Sequence, residues 1–315
     1  MVLSATRPEP HPIGTARRVP LGRGDAVPAA FWIAASLLTL AVVARQPLDG
    51  AAATLGATIV FLAGGLPHGA YDIALLARTR TLGQRGMAIA LGGYVLAAVT
   101  MVVLWHLAPA AALIIFLVAA AVHFGADWTM LDEPLLKTAA GSAILAAPAI
   151  GNTGEVTRLF GLMSDPATGA LVARVLVAAA PVALLVTLVG VVSAWRDGAR
   201  GWAGATTVAI LLLLIAPPVA AFALFFVFLH SPRHLAETRD LLRSMSTLSW
   251  LATGAALSTL AVGGWVALTT IAPMRLTPDL TAQAFQLLAS VAVPHLLLSK
   301  WIEGRLDTQA TKAHP

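Results

Sequence analysis

The hydrophobic residues of this chain fall into long blocks that are almost free of charged residues. Each block approaches the ~20 residues that an α-helix needs to cross a bilayer. A transmembrane β-barrel would show short segments of alternating polarity instead, and these blocks do not alternate. The pattern predicts an all-α, polytopic transmembrane helix bundle of about 8–10 spans, with candidate spans at residues 29–44, 52–77, 87–106, 109–130, 138–151, 170–194, 203–216, 219–243, 250–272 and 281–301.

The double proline Pro217-Pro218 lies between the seventh and eighth candidate spans. Proline lacks a backbone N–H and disrupts a helix interior, so we expect the helix to break there. With that break, all the basic segments fall on one side of the membrane, as the positive-inside rule requires. We therefore expect a multi-pass protein of the bacterial cell (inner) membrane with both termini in the cytoplasm. Residues 152–169 then form a loop on the opposite side.

Composition supports a membrane protein. Of the 315 residues, 58% are hydrophobic and 11% are charged, whereas a soluble domain carries roughly a quarter charged residues. The chain has no cysteine, which excludes disulfides, thiolate metal sites and cysteine nucleophiles. The net charge of +5 does not indicate nucleic acid binding, because basic residues are concentrated near the start, at Arg7, Arg17, Arg18 and Arg23.

These features divide the chain into three parts. Residues 1–28 are expected to form a basic, disordered N-terminal tail, residues 29–302 a single transmembrane catalytic domain, and residues 303–315 a C-terminal tail. The sequence contains no convincing internal repeat and no second domain.

Several histidines lie within predicted membrane spans, where a helix surface that faces lipid would not carry them. The chain has eight. Two lie in the tails, and His106 ends the third span beside Trp105, which favours packing at the membrane interface. The other five lie within predicted spans, where ionisable residues are costly and indicate function; they are His68, His123, His230, His234 and His295.

Four of these histidines, His68, His123, His230 and His295, are expected to lie at similar depth. The second, fourth, eighth and tenth spans run in the same direction, and each carries its histidine at a similar distance from its end. At a rise of ~1.5 Å per residue, the side chains fall in one layer of the bundle. His230 and His234 are four residues apart and therefore share a helix face.

Carboxylates follow three of these histidines at helical spacing. Asp72 and Asp127 come four residues after His68 and His123, and Glu237 comes three after His234. A metal-bound imidazole usually donates its other N–H to a carboxylate or carbonyl. We therefore expect Asp72, Asp127 and Glu237 to orient ligating histidines, including histidines on neighbouring helices.

The residues alone leave several chemistries open. Ligation by nitrogen without thiolate suits iron, copper or zinc. Four histidines would leave two positions of an octahedron free, so that Fe(II) could bind dioxygen, whereas zinc would favour a hydrolase with three protein ligands and a water. A lone histidine pair in a helix is a weak signal, and histidine–aspartate pairs within a membrane also serve as proton relays in transporters.

Four motifs resemble those of the Brp/Blh family of membrane-bound β-carotene 15,15′-dioxygenases. They are GLPHGAYD, HFGADW, HSPRH and PHLLL, and the similarity runs from about residue 55 to 302. The resemblance implies cleavage of the central double bond of β-carotene by O2 to two all-trans-retinal, with non-haem Fe(II) held by His68, His123, His230 and His234. It also implies a functional link to a retinal-binding rhodopsin.

The resemblance leaves the role of His295 open between a neighbour of the ligands, a pocket residue and a ligand that replaces one of the four. An apolar, bilayer-dissolved substrate would favour a site open to lipid and a pocket lined by aromatic residues near the histidines, namely Tyr71, Phe124, Trp128, Phe226 and Trp301, with Phe225 and Phe228 also nearby. Two alternatives remain: a proton-coupled transporter, and a non-catalytic carotenoid- or retinal-binding accessory protein of a rhodopsin system.

Overall fold

The computed structural model describes residues 27–78, 83–271 and 278–313. These residues form helices and no strand. The helices are α1 (Ala29–Val43), α2 (Ala51–Gly69), α3 (Asp72–Arg78), α4 (Gln84–Leu107), α5 (Pro109–Gly125), α6 (Pro134–Gly151), α7 (Thr153–Met163), α8 (Pro166–Arg196), α9 (Arg200–Ile215), α10 (Pro218–Phe225), a π-helical turn (Phe226–His230), α11 (Ser231–Leu241), α12 (Thr247–Ile271) and α13 (Leu280–Ala313).

The predicted all-α membrane bundle is confirmed. Within the described ranges, six helical segments are long and apolar enough to cross a membrane: α4, α6, α8, the continuous segment from α10 to α11, α12 and α13. Four shorter apolar helices, α1, α2, α5 and α9, accompany them. Large apolar side chains of α1, α4 and α8 are exposed on the outside of the bundle, as expected where lipid replaces water.

The break at Pro217-Pro218 is confirmed. Helix α9 ends at Ile215 and α10 begins at Pro218. The backbone carbonyl of Ala216 would lose its partner at this break, but it accepts a hydrogen bond of 2.9 Å from the Asn152 side-chain amide. Because unpaired backbone groups are costly in an apolar environment, Asn152 stabilises the break.

Two predicted boundaries differ from the structure. The second candidate span, 52–77, is divided into α2 and α3 by a turn at Ala70 and Tyr71, because Pro67 and Gly69 weaken the last turn of α2. The C-terminal tail assigned to 303–315 is helical as far as Ala313, because α13 continues through a segment that contains no proline. The N-terminal tail, through residue 26, lies outside the described residues.

The expected loop at residues 152–169 contains helix α7. Its apolar face is buried and consists of Val156, Leu159, Phe160 and Met163. Asp165 then caps the N-terminus of α8 by accepting hydrogen bonds of 3.0 Å from the backbone N–H groups of Ala167 and Thr168. Hydrogen bonding from Thr168 lowers the pKa of the Asp165 carboxyl. The amphipathic spacing of α7 was the sequence signal for this short helix.

Helices α5 and α6 approach each other closely at two glycines. A Cβ atom added to Gly141 would lie 2.1 Å from the Ala121 carbonyl oxygen and 2.4 Å from the Gly125 nitrogen. Small residues allow such backbone contact between membrane helices. The contact matters for function because the C-terminal end of α5 carries His123.

Gly141→Ala is expected to destabilise the protein by about 1–3 kcal/mol, because overpacking against backbone atoms forces the helices apart. The matched control is Gly92→Ala on α4, since a Cβ atom there has no neighbour within 4 Å. Thermal unfolding in detergent, followed by tryptophan fluorescence, measures the difference. Equal unfolding temperatures for the two variants would contradict the close contact between α5 and α6.

Candidate metal centre and adjoining cavity

Three histidines meet in the middle of the bundle. His123, near the end of α5, and His230 and His234, in and after the π-helical turn, each offer a ring nitrogen, and these nitrogens lie within 4.8 Å of one another. The Nε2 atoms of His123 and His230 are 2.9 Å apart. His230 is almost completely buried, with 1% of its surface exposed. The predicted convergence of these three side chains is thus observed.

The π-helical turn Phe226–His230 positions His230. Pro232 follows two residues later, and a proline ring clashes with the carbonyl four residues before it, here that of Phe228. A wider turn relieves this clash, and the Ser231 N–H instead bonds the Phe226 carbonyl. Such single π-turns often occur at functional sites. The i, i+4 spacing predicted a shared face for His230 and His234, but it did not predict this widening.

Asp127 connects the two histidines of that segment. Its Oδ2 atom lies 2.7 Å from His230 Nδ1, and its Oδ1 atom lies 3.2 Å from His234 Nε2. Because His230 Nδ1 faces this carboxylate, its Nε2 is directed towards His123. A carboxylate that holds one ring nitrogen in this way fixes the tautomer and the orientation of the other.

A second carboxylate–histidine pair lies beside the first. The Asp72 carboxylate, at the start of α3, has both oxygens 2.8 Å from His295 Nδ1 on α13. The ring centroid of His295 lies 5.7 Å from that of His123, at an interplanar angle of 90°. The expectation that carboxylates reach histidines on neighbouring helices therefore agrees with the geometry of Asp72 and Asp127.

His68 and Glu237 complete the set of predicted site residues. The backbone of His68 belongs to α2, but its side chain lies outside the described part of the structure. The next residue, Gly69, is adjacent to the cluster, because a Cβ atom there would lie 3.6 Å from the His295 ring. Glu237 is half exposed, with Oε2 3.9 Å from His234 Nδ1 and Oε1 3.4 Å from Arg233 Nε.

Sequence reasoning assigned no role to Arg233. Its guanidinium donates a hydrogen bond of 3.2 Å to the backbone carbonyl of Asp127. It therefore joins α11 to the turn that follows α5, close to the histidines. Its position between two histidines in the HSPRH motif was the available signal, but the distant partner could not be read from the sequence.

A cavity lined almost entirely by apolar residues begins at His123. It contains about 870 Å³ of empty space, including its open mouth. Phe124 and Phe226 line it near the histidines, and the buried face of α7 lines it farther away. The arrangement places one histidine of the cluster, His123, in the wall of a compartment that suits an apolar molecule.

The other three predicted pocket aromatics lie elsewhere. Tyr71 stacks on Trp250 at a centroid distance of 3.6 Å and donates its hydroxyl to the Trp250 carbonyl. Trp128 packs edge-on against Trp202 in a separate apolar cluster. Trp301 borders a groove between α4 and α13. Proximity in sequence to a histidine did not determine the direction in which each ring points.

The donor set fits an iron ion. All the converging side chains are imidazoles, a ligand type that suits iron, copper and zinc. The Nε2 atoms of His123 and His230, 2.9 Å apart, are close enough for both to bind one ion. The same separation suits a hydrogen bond in which one ring carries the proton, and a metal would replace that proton.

Comparison with known proteins identifies the family. A curated protein from uncultured marine bacterium 66A03, named beta-carotene 15,15'-dioxygenase, is 29% identical over 260 residues, which cover 78% of this chain and 92% of that protein. No solved structure matches. The family model described as beta-carotene 15,15'-dioxygenase matches residues 57–303. The match spans every described residue of the histidine cluster and of its cavity, and the chain therefore belongs to the beta-carotene 15,15'-dioxygenase family of enzymes.

Proposed function

We propose that the protein cleaves the central 15,15′ double bond of β-carotene with O2 and releases two molecules of all-trans-retinal. The observation that carries this proposal is the cluster of His123, His230 and His234 at the end of an apolar cavity within a membrane bundle. Family membership supplies the substrate class, and the cavity suits a hydrocarbon that is dissolved in the bilayer.

The proposed cofactor is non-haem Fe(II), held by His68, His123, His230 and His234. When bound there, the ion would supply the activation of dioxygen. Asp127 would orient His230 and His234, and its short contacts to both rings support this role. Asp72 would orient His295 beside the ligands, and Glu237 would interact with His234 from the more exposed side.

The rest of the chain would bind and orient the polyene and exclude water. Phe124 and Phe226 line the cavity beside the histidines, with ring centroids 5.8 Å from that of His123 and 5.7 Å from that of His230, respectively, and their rings would contact the conjugated chain. The reaction balances without an external reductant, because one oxygen atom of O2 ends on each carbon of the cleaved double bond. An apolar compartment protects such chemistry from water.

The proposal places the enzyme in a bacterial cell (inner) membrane with both termini in the cytoplasm. Its substrate would reach the site from the lipid phase. Retinal would then be available to a retinal-binding rhodopsin of the same cell, the proposed functional partner. A proton-coupled transporter and a carotenoid-binding accessory protein differ from this function in measurable ways, since the first needs no stoichiometric metal and the second shows no turnover.

Expression in a β-carotene-accumulating bacterium tests the reaction directly. The wild-type protein should reduce the orange pigment and produce retinal, measured by chromatography of extracts. His68→Ala should leave β-carotene unchanged at equal expression, because a ligand is lost. Unchanged β-carotene with well-expressed, iron-loaded wild-type protein would contradict the proposed reaction.

His230→Ala is expected to lose both bound iron and activity while the protein still inserts into the membrane. His230 is buried and faces His123 and Asp127, so its loss removes a nitrogen donor from the centre of the cluster. His106→Ala on α4 is the matched control, with iron and activity retained. Metal analysis of purified protein gives the iron content, and full activity of His230→Ala would overturn this ligand assignment.

Asp127→Asn should weaken iron binding about 10- to 100-fold, the usual effect of losing the carboxylate that orients a ligating histidine. Titration of metal-free protein with Fe(II) under anaerobic conditions measures the affinity. The control is Asp132→Asn, an exposed carboxylate in the same connection between α5 and α6. Equal affinities for the two variants would show that Asp127 does not orient the ligands.

A further inference from the structure

Helix α7 forms the far wall of the cavity. Val156, Leu159, Phe160 and Met163 all line it, and all four are buried. His123 lies beside His295 on α13, nine residues beyond Gln286, which bonds the last residue of α7. At a rise of ~1.5 Å per residue, these two contacts are about 13 Å apart along α13. The compartment therefore runs from the histidine cluster to the buried face of α7.

Helix α7 is held in place at both ends. The carbonyl of Met163 accepts a hydrogen bond of 3.1 Å from the buried amide of Gln286 on α13. Asn152, directly before α7, donates to the Ala216 carbonyl. The helix also touches α8 closely, since a Cβ atom on Gly169 would lie 2.4 Å from the Gly161 nitrogen. These contacts make α7 a fixed wall rather than a moving lid.

The depth of the cavity can be read along α13. Phe285 and Leu296 both line it, and at 1.5 Å of rise per residue they lie about 16 Å apart along the helix axis. Along α5, Phe116 and His123 lie about 10 Å apart by the same measure. A compartment of this depth takes in part of an extended carotenoid and not the whole molecule.

We propose that α7 is a stop that selects the bond to be cleaved. One end ring of the substrate rests against Leu159, Phe160 and Met163, and the fixed distance from this wall to His123 places the central double bond at the histidine cluster. This inference rests on the proposed function, because it takes β-carotene as the substrate. The other half of the molecule extends through the open mouth of the cavity.

Because β-carotene is symmetrical, the lengths of the products show whether cleavage occurs at the central bond. Cleavage at the centre gives two identical aldehydes, because each of the two carbons receives one oxygen atom of O2. Cleavage one double bond away, in either direction, gives a shorter methyl ketone and a longer aldehyde from the same balanced reaction, because one carbon of that bond carries a methyl group. The ratio of unequal to equal products therefore reports where the chain stops.

Changing the size of the side chain at residue 159 should change which double bond is cleaved. Leu159→Trp shortens the cavity and Leu159→Ala lengthens it. Each should increase the fraction of unequal products by about tenfold or more, since about tenfold is the lower end of the discrimination that one methylene group gives in an apolar pocket. Leu171→Trp is the matched control, since Leu171 is exposed on α8 and should leave the products equal. Purified proteins are incubated with β-carotene, and the aldehyde and ketone products are separated and identified by mass.

The outcomes separate this inference from the proposed function. Wild-type protein that forms no retinal would overturn both. Wild-type protein that forms retinal, with only equal products from Leu159→Ala, would overturn the stop and leave the function intact. Leu159→Ala adds no bulk to the cavity. Its product ratio therefore tests whether α7 sets the cleaved bond even if Leu159→Trp is inactive. A purely structural effect would lower the rate without changing the product lengths.

Discussion

The structure depends on a buried carboxylate between two histidines. Asp127 lies in the turn after α5, and it contacts both His230 and His234 from across the bundle. A charged carboxylate taken out of water costs several kcal/mol unless it is paired and hydrogen-bonded. These contacts therefore hold α5 and the segment from α10 to α11 in one relative position. The close glycine contact between α5 and α6 sets the position of Asp127 itself.

The same arrangement explains how ionisable side chains are accommodated within an apolar helix bundle. Each described histidine of the cluster has a partner: His230 and His234 contact Asp127, His295 contacts Asp72, and His123 contacts His230. The apolar cavity begins immediately beside these groups. The molecule thus separates a small polar region, which can bind a metal, from a larger apolar compartment, which can bind a hydrocarbon.

Helix α7 adds a constraint of a different kind. It is short and amphipathic, and its buried face lines the apolar compartment. A polyene offers few polar groups by which a protein could recognise one bond among many similar ones. Steric contact at the end of the molecule is the remaining means of positioning it, and a rigid wall provides such contact at little conformational cost.

The sequence by itself determined the fold class, the helix break at Pro217-Pro218 and most of the residues in the cluster. Hydropathy identifies helices in a bilayer because every backbone group must be paired internally, and ionisable residues within spans are too costly to be incidental. The tertiary structure decided which carboxylate faces which histidine, which aromatic rings reach the cavity, and that α7 lines it. These features depend on contacts between distant segments, such as Asp127 with His230 or Gln286 with Met163. Local spacing cannot specify such contacts, because the direction of a side chain is fixed only when the helices have packed.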